Sequence, residues 1–236
     1  MIQLPEHAHL FTPNMALAVA GKGFRTLINV FNYYNPYIVG DDFESDAVIE
    51  IKFFDGDGRQ CLDHRAPLPA CGSLQFDISD ALAAGHRPGD MIGTAYVRLI
   101  PRKLPPGWET GKISTEFTAE LVSPSGKRSI FHNSGSATRI PSVLQMETGQ
   151  LISDDVCRLR YLVLANNYFG PRIPFFSTGQ ARVRISNWHG ETRTAVSQTV
   201  PPRGLRLFPM EEAFPGLVDF LDGRSGRLHF RCCNLL

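Results

Sequence analysis

Apolar and polar positions alternate with a period of two in short runs along this chain, and Gly, Pro, Asn or Asp closes most of them. Such runs predict half-buried β-strands, because successive side chains of a strand point to opposite faces. Ala47-Val48-Ile49-Glu50-Ile51, Leu74-Gln75-Phe76-Asp77-Ile78, Gly93 to Ile100 and Ala181-Arg182-Val183-Arg184-Ile185 all follow the pattern. Asp55-Gly56 and Ser125-Gly126 each stand between two runs and predict hairpin turns, where Gly accepts positive φ. The second of these hairpins would span Ser114 to His132. Ser79 to Gly85 predicts a turn or two of capped helix. Tyr37 to Asp46, with Gly40, Asp41, Asp42 and Glu44, reads as a long exposed loop. Pro101 to Gly111 reads as another, with Trp108 at a tip suited to a contact surface. The fold class that follows is all-β.

The pattern occurs twice. Leu27-Ile28-Asn29-Val30-Phe31-Asn32-Tyr33-Tyr34-Asn35-Pro36 returns as Tyr161-Leu162-Val163-Leu164-Ala165-Asn166-Asn167-Tyr168-Phe169-Gly170-Pro171. Asn32 and Asn166 are 134 residues apart, as are Tyr34 and Tyr168, and Ala47 and Ala181. The same offset lays Asp55-Gly56 over His189-Gly190. Leu68 to Gly72 matches Val200 to Gly204 at 132, and Gly93 to Arg98 matches Gly226 to Arg231 at 133. Matches held in order predict two tandem, mainly antiparallel β-sandwich units. The first would span 1–140 with an N-terminal tail, and the second 141–236, with 133–155 as the best linker. The second unit has no counterpart of the Ser114–His132 hairpin, which would leave an open sheet edge. Leu10 to Ala20, the first unit or another subunit could cover it, or nothing would if the chain is a truncated fragment.

A formal net charge of +1 over 236 residues, without a basic stripe, argues against a nucleic-acid binder. No run approaches the length of a membrane span, and the N-terminus lacks a secretory pattern, so a cytoplasmic protein that makes no membrane contact is expected. Cys61, Cys71, Cys157, Cys232 and Cys233 are odd in number and show no paired metal spacing, which suits reduced thiols.

Enzyme motifs are absent: there is no Gly-x-Ser-x-Gly elbow, no phosphate-binding Gly-rich loop and no His-Glu-x-x-His. Asp55-Gly56-Asp57-Gly58 resembles a calcium loop, yet its twelfth position is Ala66, where a bidentate Glu is needed. His7-x-His9 is half of a metal site at most, and no local geometry turns Asp63-His64 or His132-Asn133 into a triad. No catalytic residue, metal or cofactor is therefore expected. The candidate ligand contacts are the repeated strand ends, Asn32, Tyr33 and Tyr34 with Asn166, Asn167 and Tyr168, together with Trp188. Asn amides both donate and accept hydrogen bonds, and an aromatic face stacks on a flat ligand. The equivalent Arg98 and Arg231 could grip an anionic group or pair with a carboxylate of the protein. Each has a structural reading beside the functional one, since such Asn residues also tie loop backbone and such aromatics seal cores.

Ile28-Asn29, then Val48-Ile49-Glu50-Ile51, Phe53-Phe54, Pro69-Ala70 and Leu74 to Ile78 together resemble the sensory rhodopsin transducer family. The likeness covers roughly residues 26–99. It implies a small cytoplasmic β-sandwich of a prokaryotic small-molecule-binding type, with a ligand-binding or signalling role. The two units and the Tyr37–Asp46 loop depart from that family. The function expected is non-catalytic sensing of a small polar ligand, sugars included, with occupancy passed to a protein partner. The alternatives are a protein-interaction module that self-associates or binds a partner through the second unit's open edge, and a hydrolase.

Overall fold

The computed structural model describes residues 2–40, 42–85, 91–108, 113–132, 135–136, 147–152, 161–166 and 179–234. The chain is all-β, built from mainly antiparallel sheets with a few short helices. It divides into two compact units, Met1–Thr138 and Arg139–Leu236.

In the first unit a 3-10 turn, Glu6–Leu10, leads into β1 (Phe11–Thr12) and β2 (Asn14–Ala20). There follow β3 (Arg25–Phe31), α1 (Pro36–Val39), β4 (Ala47–Asp55), β5 (Gln60–Leu68) and β6 (Ser73–Asp77). Next come α2 (Ile78–Ala84), β7 (Met91–Pro101), β8 (Ile113–Ser114), β9 (Thr118–Val122), β10 (Arg128–His132) and β11 (Gly135–Ser136). One sheet has the order β11-β2-β7-β4-β5 and the other β10-β9-β3-β6. They share one core, with Ala16, Ile49, Ile51, Phe53, Val97 and Leu99 from the first sheet and Ile28, Val30 and Ala119 from the second. The alternation read in β4 is what aims Ile49, Ile51 and Phe53 inward together. The side chain of Asp77 caps α2 by accepting from the backbone of Ser79 and Asp80, and α2 buries Ile78 and Leu82.

Three expectations need correction here. The Leu10–Ala20 stretch is not a tail. It forms β1 and β2, and β2 pairs with β7 along its full length. The Tyr37–Asp46 region starts inside α1 instead of being a loop throughout; beyond the helix Asp42, Glu44 and Asp46 are exposed, while Ser45 is buried. The linker proposed at 133–155 contains β11 and also the first strand of the second unit's larger sheet.

The second unit comprises β12 (Glu147–Ile152), β13 (Tyr161–Ala165), β14 (Gly179–Ser186), β15 (Thr192–Val196) and β16 (Leu205–Pro209). It continues with α3 (Met210–Ala213), α4 (Leu217–Leu221) and β17 (Gly226–Asn234). Its sheets have the orders β12-β17-β14-β15 and β13-β16. By sequence offset these are the counterparts of β2-β7-β4-β5 and β3-β6. Val183, Ile185, Phe208, Phe214 and Leu228 centre its core. Among the described residues β13 pairs only with β16, whereas β3 also carries β9 on its other side.

The hairpin turns fix the register between matching segments of the two units and correct one match. The Asp55 backbone N–H donates to Arg59 O, and Asp55 Oδ1 accepts from the N–H groups of Asp57 and Arg59. Asn187 makes the same set with Glu191 and His189. Asp55 therefore corresponds to Asn187 at an offset of 132, not to His189 at 134.

Candidate functional site

Asn32 directly follows β3 and is fully buried. Its Nδ2 donates to the carbonyls of Ser45 (3.0 Å), Leu68 (3.2 Å) and Pro69 (3.0 Å). Its Oδ1 accepts from the Tyr34 N–H, and its own N–H donates to Gly72 O at 2.8 Å. The half-buried Asn166 repeats part of this set, with its N–H on Gly204 O (2.9 Å) and Nδ2 on Val200 O (3.0 Å). The turns they grip match as well, with Cys71 and Arg203 both at positive φ, 55° and 63°. Both asparagines tie loop backbone to a strand end, which is a structural use of the amide.

Tyr34 is buried too, and its hydroxyl donates to Leu99 O at 3.0 Å. Its ring meets Phe11 and Trp108 edge-on, at 6.2 and 6.1 Å between centroids. Trp108 is thus half-buried against the core rather than at an exposed loop tip. Burial, together with the neighbouring Tyr33, raises the Tyr34 phenol far above its ordinary pKa. Neither Asn32 nor Tyr34 offers a free face to a ligand. Tyr34→Phe is expected to cost about 1 kcal/mol, the net worth of one buried hydrogen bond, as read by urea unfolding.

Arg98 lies in the interior, with Nε and Nη2 on Glu50 Oε2 at 2.8 and 2.5 Å and Nη1 on Ala8 O at 3.2 Å. Arg65 reaches Glu50 Oε1 through Nε (3.1 Å) and Nη2 (2.9 Å), and Lys52 Nζ lies 3.4 Å from the same oxygen. Arg98 is committed to this ion pair and not to a ligand. Its counterpart Arg231 is exposed and stands opposite Arg182 on one side and Glu147 on the other. At the offset of 132 set by the turn, Arg182 takes the place of Glu50, so the buried pair is not repeated.

Trp188 sits in the β14–β15 turn, 68% exposed, with the Arg224 guanidinium 6.0 Å from its ring centre. Asn167 and Tyr168 lie outside the described residues. His7 and His9 lie in the 3-10 turn, where His7 bonds to Pro101 O and His9 to Glu6 O. His64 stacks on Phe76 at 4.3 Å, and burial lowers its pKa. Among the described residues no three His, Cys, Asp or Glu side chains gather as metal ligands. No helix among them is long and apolar enough to cross a membrane.

The residue of the first motif that does reach an accessible site is Tyr33. It lines a groove of about 670 Å³ on the outer face of the β10-β9-β3-β6 sheet. One row of opposed residues crosses all four strands: His132, Thr118, Asn29 and Gln75. Phe31, 48% exposed, opposes Ser73 in the next row, and Glu116 lies at the Tyr33 end. Gln75 Nε2 donates to Asn29 Oδ1 at 2.8 Å, which leaves Asn29 Nδ2 and Gln75 Oε1 for other partners. Burial raises the Tyr33 phenol above its ordinary pKa despite contacts with Tyr34 and the Glu116 backbone, and the Glu116 charge adds to the rise. The phenol therefore remains protonated near neutral pH.

This groove has a sequence signal, since Asn29 and Phe31 share one face of β3 and Ser73 and Gln75 share one face of β6. The polar-aromatic cluster sits on the strand faces rather than at the Asn-Tyr strand end. In the second unit the corresponding cross-strand pair is Val163–Leu207, 42% and 40% exposed. Ala165 stands there in place of Phe31. No protein-family model matches the chain, and no curated protein matches it significantly.

Proposed function

We propose that the chain is a non-catalytic cytoplasmic binding module, made by duplication of one β-sandwich, that senses a small polar ligand in the groove of its first unit. The observation that carries this reading is the row of four polar side chains across the sheet, flanked by Phe31 and Tyr33. A concave surface with a few convergent polar groups and exposed aromatics is the common form of a small-ligand site. The recurring Asn32 and Asn166 hydrogen bonds support the duplication, and the resemblance to the sensory rhodopsin transducer family supports the sensory role. Cys61 and Cys71 are in no disulfide among the described residues, which suits a reducing compartment. Ligand contacts that order the groove rim would bias a protein-facing surface and so pass on occupancy.

A thermal-shift screen of the whole chain tests the reading. A ligand that binds only the folded state raises the melting temperature, with about 2.7 kcal/mol of stabilisation at a hundred times its dissociation constant. Phe31→Ala and Gln75→Ala are expected to abolish the ligand-induced shift with little change in the unliganded melting temperature, since both side chains are exposed. A shift that survives both substitutions refutes the groove as the site.

The second reading, a protein-interaction module, is favoured by the exposed Val163–Leu207 pair next to a strand edge that no described strand pairs. Such an edge accepts a strand from another chain through main-chain hydrogen bonds. If self-association uses it, light scattering across a concentration series will show an oligomer that Val163→Asp converts to monomer.

A further inference from the structure

We propose that the outer face of the second unit's larger sheet docks on a membrane surface that carries anionic phospholipids. The proposal concerns the other unit and does not depend on the groove. Residues 139–236 hold twelve arginines, no lysine and eight carboxylates, a balance of +4. Residues 1–138 hold twelve cations and fifteen carboxylates, a balance of −3. Such a charge asymmetry between the halves of a chain marks contact with a polyanion.

The strand register concentrates the charge. β14 buries Ala181, Val183 and Ile185, so Arg182 and Arg184 take the opposite face, where both are exposed. In β17, Arg231 stands opposite Arg182, His229 opposite Arg184 and Arg227 opposite Ser186. Arg227 and Arg231 are exposed as well. Four arginines thus share the two central strands of one sheet face. Neighbouring strands lie about 4.8 Å apart, and same-face neighbours along a strand about 7 Å. Both spacings are below the Debye length of about 8 Å at physiological salt, so the charges act as one field. Glu147, opposite Arg231 in β12, is the one carboxylate that the pairing sets in these rows among the described residues. No basic run shows in the sequence, because the arginines alternate with apolar residues and Arg182 lies 45 residues from Arg227.

What borders the arginines favours lipid over an acidic protein. Trp188, 68% exposed, lies in the turn joining β14 to β15, with the Arg224 guanidinium 6.0 Å from its ring centre. Val196, 53% exposed, stands opposite Arg182 on the arginine face. An indole beside a cation suits the headgroup level of a bilayer, where its ring meets apolar chains and its N–H meets polar groups. Guanidinium forks grip lipid phosphates through two parallel hydrogen bonds. A contact of this kind lies on the surface and needs no spanning segment. The expectation of no membrane contact, which rested on the lack of such a segment, does not bear on it.

The test is co-sedimentation of the full chain with vesicles of phosphatidylcholine alone, and of phosphatidylcholine and phosphatidylserine in a two-to-one ratio. Binding is expected only with phosphatidylserine, and it should weaken as added salt screens the charges. A basic residue close to an anionic bilayer changes partitioning about fivefold. Arg182→Gln with Arg184→Gln should therefore weaken binding by about tenfold or more, with an unchanged melting temperature. Arg227→Gln with Arg231→Gln offers a second pair should the first fail to fold. Arg59→Gln with Lys127→Gln, the same charge change at exposed positions of the first unit, should bind as wild type does. On phosphatidylserine vesicles the emission of Trp188 should shift to the blue, a shift absent from Trp188→Phe. No sedimentation with phosphatidylserine at low salt overturns the proposal. Binding that the arginine pairs leave unchanged, or that the first-unit pair weakens equally, also overturns it. Poly-glutamate and a single-stranded oligonucleotide are the rival polyanions. Binding of either, with the vesicles ignored, assigns the face to that partner and overturns the lipid reading.

Discussion

Glu50→Ala is expected to destabilise the first unit by about 3–5 kcal/mol, because it strands a buried cation. Arg98 is only 8% exposed, and both its Nε and Nη2 groups are spent on Glu50. Arg65 and Lys52, with 21% and 17% of their side-chain surface exposed, can turn to water when the carboxylate goes. Arg98 cannot. Replacing both partners by apolar side chains, Glu50→Leu with Arg98→Met, is expected to recover much of the loss, since the penalty lies in the unpaired charge rather than in the missing attraction. Urea unfolding followed by Trp108 fluorescence in a Trp188→Phe background reads the first unit by itself. A loss below about 1 kcal/mol for Glu50→Ala would show that Arg98 finds another partner or water. The same carboxylate sets an acid limb. Burial pushes its pKa up, but Arg98, Lys52 and Arg65 together outweigh burial and hold it below its ordinary value of 4.5. A depressed folded-state pKa contributes stability in full above the unfolded value and loses it as pH falls through the folded one. Wild-type stability should therefore fall from about pH 4.5 downward more steeply than that of Glu50→Gln.

What the sequence made legible was the part of the fold set by local geometry. Period-two runs gave β14 because one face of it is buried, and gave β4 and β7, buried on both faces, because Glu50 and Lys52 or Thr94, Tyr96 and Arg98 place polar groups at alternate positions. Asp55 marked its hairpin because its side chain bonds back to the backbone of the turn, while the positive φ expected at Gly56 falls instead on Gly58 (73°). The β2 strand escaped because five of its seven residues are buried, so Met15-Ala16-Leu17-Ala18-Val19-Ala20 shows a continuous apolar run instead of alternation. The matching segments were legible as spacing, yet their offset changes from 134 at Asn32 to 132 at Asp55, so two residues fewer join the motif to the turn in the second unit. One pleat of drift leaves the apolar pattern unchanged, and only the turn hydrogen bonds reveal it.

The site was half legible for a related reason. Whether an Asn serves a loop or a ligand depends on what surrounds it, and the partners of Asn32 lie 13, 36 and 37 residues away. The amide pair of the groove joins Asn29 to a Gln75 that is 46 residues distant. Each residue alone looks like an ordinary polar position of a half-buried strand. Only the antiparallel register of β3 with β6 and β9 makes a row of them. Tyr33 belongs to both settings, which is why the motif pointed near the groove without pointing into it.

Asn32→Ala is the substitution that separates these two uses of the motif. It removes the Nδ2 donor from three carbonyls and the Oδ1 acceptor from the Tyr34 N–H, all in or near the buried junction of β3, β5 and the Ser45 segment. Each buried group left without a partner costs about 1–3 kcal/mol, so a net loss of about 3 kcal/mol is expected even after some relaxation. Asn32→Asp should be worse than Asn32→Ala, because a carboxylate cannot donate and would face the same carbonyls with its own charge. Asn166→Ala should cost less, since that residue is only half-buried. The order Asn32→Asp, Asn32→Ala, Asn166→Ala, from most to least damaging in urea unfolding, is what a loop-tying amide predicts. A ligand-contacting amide predicts the reverse signature, with stability near that of wild type and affinity lost. If the folded fraction of Asn32→Ala binds the groove ligand as wild type does, the asparagine shared by the two units serves the fold. The side chains that differ between them, Asn29 against Val163 and Gln75 against Leu207, are then where function parted.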